Sequence, residues 1–367
     1  MRKKVCIVTG ARSDYGLLRE TIRKFNNNKE IDFKLVVTGS HLSSRLGNTY
    51  KEISKDGFVF DKVKINLGDG SKKGMSLAIS NVIKVFTDYF DNYKPDILIL
   101  LGDRYEIFGV AIAARILSIK IAHISGGDIT EGAIDDVFRN SITQMSSLHF
   151  PGCEDSKKRI VSMGKATSTV FNVGEPGIEN CLNIEIINKK ELSKIINFNI
   201  EKDYAIVTYH PETNSNTNIK KDLKELIRAM NTFDMGYIIT KANADAGGTI
   251  INDLWKKECS KHSNWLLVSS LGVNKYINCL RNAKLVIGNS SSGIVEAPTL
   301  GIPTVNIGTR QKGRMMAKSV INCDAKENDI AQAITKAMKL KHKKYFLYGN
   351  GNTSEKIVNY ILKDLKK

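Results

Sequence analysis

The sequence predicts an α/β protein built from two Rossmann-like domains that face a central cleft. Its 367 residues exceed what one ordinary hydrophobic core accommodates and fit two domains. Short β-branched runs alternate with amphipathic stretches, which is typical of βαβ units in a parallel sheet. This alternation restarts near residue 176. We therefore expect one domain over 1–174, a second over 175–350, and a C-terminal helix over 351–367 that packs back towards the first.

The alternation defines the individual elements of the first domain. Val, Ile and Leu runs of strand length indicate buried strands, and apolar residues at helical spacing indicate the helices between them. The strands are expected at 4–8, 33–37, 97–101 and 119–124, and the helices at 15–25, 75–93 and 105–117.

The second half repeats this pattern with its own strands and helices. Strands are expected at 204–208, 237–240, 265–268, 285–287 and 304–307, and helices at 220–230, 250–259, 274–280, 293–300 and 354–365. No internal repeat of solenoid length and no low-complexity linker interrupts the series.

The composition indicates which binding partners and which cellular compartment to expect. The formal charge of +17 would suit a polyanion, but the lysines are scattered and form no basic stripe with interleaved aromatics, so we expect no nucleic-acid binding. The six cysteines are far apart and read as free thiols of a reducing cytoplasm. No apolar run is long enough for a membrane span, and the N-terminus lacks a signal-peptide pattern, so we expect a cytoplasmic protein.

Polar and charged residues follow the predicted strands of both halves. In open α/β sheets ligands bind beyond the carboxyl ends of the strands, so these positions are candidate site residues. The segments concerned are 9–15, 38–41, 102–106 and 123–128 in the first half, and 210–213, 243–247, 288–293 and 308–314 in the second.

The segment 288–293, Gly-Asn-Ser-Ser-Ser-Gly, lies between a predicted strand and a predicted helix. Its hydroxyl groups and backbone N–H groups would favour a phosphate at the helix N-terminus, although a simple serine cap is the alternative. Glu296, one turn later, either accepts hydrogen bonds from ribose hydroxyls or is an ordinary surface glutamate.

Carboxylates concentrate in two places of the first half. Asp103 directly follows a buried strand, where it could act as a general acid or base or could merely cap the next helix; Arg104 is beside it. A glycine-bearing loop and the next helix start contain further acids and an arginine: Asp128, Glu131, Asp135, Asp136 and Arg139. Such a set offers the groups needed to move protons at a sugar carbon.

Histidines at strand ends complete the candidate set. His41, His123 and His210 each end a predicted strand, although a lone histidine is more often structural. The sequence has neither a metal-ligand spacing nor a Gly-x-Gly-x-x-Gly fingerprint after a strand, so we expect no metal and no NAD.

Together these motifs resemble the hydrolysing UDP-N-acetylglucosamine 2-epimerases of sialic acid and legionaminic acid synthesis. The resemblance runs almost from end to end and is carried by residues 10–15, 102–106, 134–136 with Arg139, 210–211, 287–293 and 306–314. It implies the two-domain GT-B architecture, a homodimer without metal or cofactor, and a nucleotide-sugar substrate. The implied reaction removes the C2 proton while UDP leaves C1 by anti elimination, and then hydrates the glycal to N-acetylmannosamine.

The resemblance also implies roles for individual residues. Asp103 and Asp135 are the acid/base carboxylates, and His210 is the catalytic histidine. Diphosphate contacts fall to Arg12, Ser290, Ser291 and Arg310, and the ribose contact falls to Glu296. The sugar or its surroundings would be contacted by His41, Arg104, Arg139, Asn243 and Asp245.

One position departs from the family pattern. Where the family often has a catalytic glutamate in His-Ile-Glu-Gly, this chain has Ser125 in His123-Ile-Ser-Gly. Either Glu131 or Asp128 provides the missing carboxylate, or a subgroup of the family handles the second proton differently. The substrate therefore stays open between UDP-N-acetylglucosamine and UDP- or GDP-linked N,N'-diacetylbacillosamine. Further alternatives are a non-hydrolysing 2-epimerase, a glycosyltransferase of the same architecture and a non-catalytic sugar-nucleotide sensor.

Overall fold

The computed structural model describes residues 2–69, 71–130, 134–212, 218–242 and 247–366. The chain divides into two compact units. Unit 1 comprises Met1–Asp128, Asp135–Glu179 and Gly349–Lys367, and unit 2 comprises Ile129–Ile134 and Asn180–Tyr348.

Unit 1 is organised around a parallel sheet. Six strands occur in the described part of this unit, in the order β3-β2-β1-β4-β5-β6: β1 (Lys3–Thr9), β2 (Ile31–Val37), β3 (Asp61–Lys62), β4 (Ile97–Leu101), β5 (Lys120–Ile124) and β6 (Leu148–Phe150). The helices of this unit are α1 (Arg12–Asn26), α2 (Tyr50–Lys55), α3 (Lys72–Tyr93), α4 (Tyr105–Ile116), α5 (Asp135–Met145) and α6 (Glu154–Ser162), followed by α7 (Pro176–Asn183), within which the unit boundary falls.

Unit 2 contains a second parallel sheet. Its described strands have the order β12-β11-β10-β7-β8-β9: β7 (Tyr204–Thr208), β8 (Gly236–Thr240), β9 (Trp265–Val268), β10 (Leu285–Gly288), β11 (Thr304–Ile307) and β12 (Val320–Cys323). Its helices are α8 (Lys189–Ile196), α9 (Ile219–Asn231), α10 (Gly248–Cys259), α11 (Gly272–Asn282), α12 (Glu296–Leu300) and α13 (Glu327–Met338). The predicted α/β fold with two Rossmann-like units is confirmed.

The cores follow from the apolar runs. Every residue of β4 and of β7 is buried, because helices cover both faces of each parallel sheet. The last helix, α14 (Thr353–Leu365), belongs to unit 1 and packs on α1 through its buried face. Thr353 Oγ1 donates to the carbonyl of Val173 at 3.2 Å, which fixes the start of α14.

Three strands were not predicted, and one predicted helix is broken. β3 is two residues long, β6 is three residues long and β12 is largely half-buried, so none of them produces the apolar run that marks a core strand. The described helices for which no range was predicted are α2, α5, α6, α7, α8 and α13. The helix predicted over 293–300 is a 3₁₀ turn, Ser291–Gly293, followed by α12. Thr304 Oγ1 donates to the Gly293 carbonyl at 2.7 Å, which occupies an oxygen that a continuous helix would use. Within the described residues, no helix is long and apolar enough to cross a membrane.

His149 makes the stability of unit 1 depend on pH. Its side chain is 1% exposed, and neither ring nitrogen has a hydrogen-bond partner among the described residues. Burial, followed by the charges of His123 and Lys165, lowers its pKa from 6.5 to about 3. The folded state therefore holds the neutral ring, and the unfolded state takes up a proton as the pH falls below 6.5.

We expect His149→Leu to gain stability relative to wild type as the pH falls. The difference in unfolding free energy should shift by about 2 kcal/mol in favour of the variant between about pH 7.5 and about pH 5. Urea unfolding followed by far-UV circular dichroism at both pH values measures this shift. The substitution also changes packing, but this contribution is present at both pH values. If the difference in unfolding free energy between variant and wild type were equal at the two pH values, the prediction would be contradicted.

Candidate active site

In unit 1, the predicted acid/base residue Asp103 lies at the carboxyl edge of the sheet. β4 and β5 are neighbouring parallel strands, so the residues that follow Leu101 and Ile124 lie at the same edge. Asp103 follows β4, and Ser125 follows β5. The order of the sheet thus brings Asp103 close to the position at which this chain departs from the family pattern.

Arg139 binds Asp103 from helix α5. Arg139 is 4% exposed, and its guanidinium donates through Nη2 to Asp103 Oδ2, through Nη1 to Asp136 Oδ1 at 3.1 Å, and through Nη1 to the carbonyl of Asp128 at 2.9 Å. Burial alone would lower the pKa of Arg139, but the carboxylates of Asp103 and Asp128 raise it, so the cation is retained. A buried, charged arginine fixes the orientation of the Asp103 carboxylate.

The other acids of this region separate into different environments. Asp135 is the first residue of α5, and its side chain is partly exposed. Asp128 is 7% exposed, and its Oδ1 accepts a hydrogen bond from Ser156 Oγ at 2.5 Å. Glu131, a predicted catalytic residue, lies outside the described residues.

The predicted arginines Arg12 and Arg104 each bind a carboxylate. Arg12 begins α1 and pairs with Glu52 through Nε at 3.1 Å and Nη2 at 2.9 Å. Arg104 pairs with Glu106, which is fully buried, and it also interacts electrostatically with Asp14. Burial raises the pKa of Asp14 to about 7 against the opposing effect of Arg104.

The strand-end histidines of unit 1 are buried in its interior. His41 hydrogen-bonds Thr9 Oγ1 at 3.1 Å and Thr49 Oγ1 at 2.8 Å, and burial lowers its pKa to about 4. His123 donates from Nε2 to the Gly102 carbonyl at 2.8 Å, and burial lowers its pKa to about 4. Both rings are 0% exposed, so they support the strand ends as neutral groups.

In unit 2, Asn289 fixes the backbone of the predicted catalytic histidine. Its Oδ1 accepts from the His210 amide at 2.7 Å, and its Nδ2 donates to the His210 carbonyl at 2.9 Å. Asn289 is 0% exposed, and its own carbonyl accepts from Arg310 Nη1 at 3.0 Å and Gln311 Nε2 at 2.8 Å. One buried asparagine therefore connects the loops after β7, β10 and β11.

Glu212 holds a second connection at the same edge. Its carboxylate accepts from Thr309 N at 2.9 Å, from Thr309 Oγ1 at 2.8 Å and from Arg310 N at 3.2 Å. Sequence reasoning missed both Asn289 and Glu212 as site residues. Both could have been identified, since each lies inside one of the polar segments that follow a predicted strand, and each has a side chain that can hydrogen-bond backbone groups.

The serine-rich segment 288–293 combines a helical turn with an exposed hydroxyl. Ser290 caps the 3₁₀ turn, accepting from Ser292 N at 3.3 Å, and the side chain of Ser291 is exposed. Glu296 is half-buried beside Ser292, and its Oε2 has no hydrogen-bond partner among the described residues. Burial raises the pKa of Glu296. An unused carboxylate oxygen is an acceptor for hydroxyl donors.

Two predicted substrate residues, Asn243 and Asp245, lie outside the described residues. Across the residues that are described, no group of three or more His, Cys, Asp or Glu side chains is arranged to hold a metal ion.

Comparison with known proteins supports a single family. The family model described as UDP-N-acetylglucosamine 2-epimerase matches residues 23–362. The chain is 39% identical to GDP/UDP-N,N'-diacetylbacillosamine 2-epimerase (hydrolyzing) of Campylobacter jejuni, covering 91% of this chain and 87% of that protein. It is 33% identical to UDP-N,N'-diacetylbacillosamine 2-epimerase (hydrolyzing) of Legionella pneumophila, covering 97% of this chain and 94% of that protein.

A solved structure gives the same result for the fold. The crystal structure of UDP-GlcNAc 2-epimerase from Neisseria meningitidis bound to UDP-GlcNAc superposes with a TM-score of 0.83 at 20% identity, covering 98% of this chain and 100% of that chain. The predicted resemblance is confirmed, and the chain belongs to the UDP-N-acetylglucosamine 2-epimerase family.

Proposed function

We propose that this protein is a hydrolysing 2-epimerase that converts a nucleoside-diphosphate N-acetylated 2-amino sugar to the free 2-epimer and the nucleoside diphosphate. The observation that carries the proposal is the carboxylate of Asp103, held by the buried Arg139 at the carboxyl edge of the unit 1 sheet. A carboxylate in this position can exchange a proton with a sugar carbon, which is the chemistry that 2-epimerisation requires.

The proposal assigns proton transfer to unit 1. Asp103 and Asp135 exchange protons at C2, one as the acceptor during elimination and the other as the donor during hydration. Breaking the C2–H bond supplies the electron pair of the glycal double bond as the C1–O bond to the diphosphate breaks. Arg139 holds the Asp103 carboxylate in its orientation, and Arg12 and Arg104 contribute positive charge near the same strand ends.

The proposal assigns nucleotide binding to unit 2. Ser290, Ser291 and Arg310 bind the diphosphate, and the unpartnered oxygen of Glu296 accepts hydrogen bonds from ribose hydroxyls. His210 is held by Asn289 and assists departure of the leaving group. Asn243 and Asp245 are proposed contacts of the sugar. His41 is fully buried, so its proposed effect on the sugar passes through the residues that surround it.

The substrate choice rests on the relatives. The proteins from Campylobacter jejuni and Legionella pneumophila are named for diacetylbacillosamine, and the Neisseria meningitidis structure contains UDP-GlcNAc. At 39% and 33% identity the former favour a diacetylbacillosamine nucleotide over UDP-N-acetylglucosamine.

A single comparative assay tests the proposal. The protein is incubated in heavy water with UDP-GlcNAc and with UDP- and GDP-diacetylbacillosamine, and free nucleotide, free sugar and deuterium at C2 are measured. Free nucleotide and free 2-epimer in equal amounts, with deuterium at C2, are expected for one substrate. Interconverting nucleotide sugars without free sugar would indicate a non-hydrolysing epimerase, transfer to an added acceptor a glycosyltransferase, and binding without turnover a sensor.

Removal of Asn289 is expected to lower both turnover and stability. Asn289→Ala deletes both hydrogen bonds to the His210 backbone, and we expect turnover to fall about 30-fold and unfolding free energy by about 2 kcal/mol. Asn278→Ala is the matched control in the same unit. Asn278 is also 0% exposed and bonds backbone groups of Ile187 and Glu185, at 2.9 and 3.0 Å. Equal losses of turnover in the two variants would contradict a positioning role for Asn289.

The proposal includes a homodimer working in the cytoplasm, as the family resemblance implies. Sedimentation velocity at micromolar protein concentration tests the first part, and fractionation of cells that produce the protein tests the second.

A further inference from the structure

Glu175 is a buried carboxylate that contacts the end of β5. Its side chain is 9% exposed, and its Oε2 accepts a hydrogen bond from Ser125 Oγ at 2.7 Å. The two residues are fifty positions apart in sequence and belong to the same unit. Ser125 directly follows β5, at the sheet edge where Asp103 follows β4.

The surroundings of Glu175 hold it in this position. Thr353 Oγ1 donates to its backbone carbonyl at 3.4 Å, and a Cβ atom on Gly152 would lie 1.9 Å from Glu175 Oε1. Only a glycine at 152 therefore leaves room for the carboxylate. Ser125 itself has a φ of 60°, a left-handed conformation that is unfavourable for a residue with a side chain, and its hydroxyl donates to Glu175.

A proton count identifies a role for this pair. Hydrolytic 2-epimerisation moves three protons: one leaves C2, one returns to C2, and one leaves the water that attacks C1. Asp103 and Asp135 account for the two transfers at C2. Two other buried acids of unit 1 are engaged elsewhere, Asp128 with Ser156 and Glu106 with Arg104. The water proton still requires an acceptor.

We propose that Ser125 and Glu175 form a proton relay that activates the water in the hydration step, an inference that rests on the proposed function. As the water oxygen bonds to C1, its proton passes to Ser125 Oγ, and the hydroxyl proton of Ser125 passes to Glu175 Oε2. The electron pair of the C1–C2 double bond takes a proton at C2 from whichever of Asp103 and Asp135 acts as the donor, so atoms and charges balance. Glu175 then returns its proton to solvent.

The relay predicts a defect in hydration alone. Glu175→Gln and Ser125→Ala should each slow hydration of the added glycal, measured in the presence of the nucleoside diphosphate, by about 100-fold. Release of nucleotide from the nucleotide sugar should change by less than about threefold in a single turnover, with glycal accumulating in place of free sugar. The double variant should be no slower than either single one, because the two residues act as one unit.

Glu179→Gln is the matched control. Glu179 is a 5% exposed glutamate of the same unit that also accepts from a serine hydroxyl, Ser354 Oγ at 2.6 Å. It should lose stability without accumulating glycal. If Glu175→Gln slows elimination and hydration equally, the relay is overturned while the proposed function stands. The same holds if Glu175→Gln hydrates the glycal at the same rate as Glu179→Gln. A wild-type protein that releases no nucleotide from any of the sugars overturns both.

Discussion

Asp103→Asn is expected to lower turnover about 1,000-fold. The amide keeps the shape of the carboxylate but cannot exchange a proton at neutral pH. Its oxygen can still accept from Arg139, so the loss should appear in catalysis more than in folding. Single-turnover release of nucleotide and deuterium entry at C2 measure the effect, and nucleotide affinity should stay within about threefold because its contacts are assigned to unit 2.

Asp136→Asn provides the control for this variant. Asp136 accepts from the same guanidinium at 3.1 Å, and its side chain is 27% exposed against 26% for Asp103. The two variants therefore change one carboxylate each around Arg139. We expect Asp136→Asn to keep turnover within about threefold of wild type. If Asp103→Asn retained more than about a tenth of wild-type turnover, Asp103 would not be a proton-transfer group.

Gly288→Ala is expected to lower the unfolding free energy by more than about 3 kcal/mol. Gly288 has a φ of 132°, and a Cβ atom there would lie 1.9 Å from the backbone oxygen of Thr208. Because this contact is with backbone, relief would require β7 and β10 to separate. The same movement would displace Asn289 from His210, so any folded fraction should also lose turnover.

The two tryptophans of the chain report this transition directly. Trp255 and Trp265 both lie in the core of unit 2, so urea unfolding followed by tryptophan fluorescence monitors that unit. Gly164→Ala is the control, since Gly164 also has a positive φ, 90°, but a Cβ atom there meets nothing within 4 Å. It should cost about 1 kcal/mol, measured by circular dichroism. Similar losses in both variants would mean that conformation, and not the contact with Thr208, limits position 288.

Sequence by itself determined the fold class and the strand-end positions. Buried runs such as β4 and β7 are fully apolar, and parallel sheets place the residues that follow them at one edge. Local pattern was enough here because each signal lies within a few consecutive residues. It was not enough for β3, β6 and β12, which are short or half-buried, or for the break before α12, where the decisive hydrogen bond comes from Thr304.

Only the tertiary structure decided which side chains meet. Arg139 reaches Asp103 across 36 positions, Asn289 reaches His210 across 79, and Ser125 reaches Glu175 across 50. The sequence contained each residue but no local sign of its partner, because hydrogen bonds between loops depend on strand order. The sequence showed no sign of burial either. His41 and His123 follow the same strand-end pattern as His210, yet both are 0% exposed, and burial lowers their pKa values to about 4, so both rings are neutral.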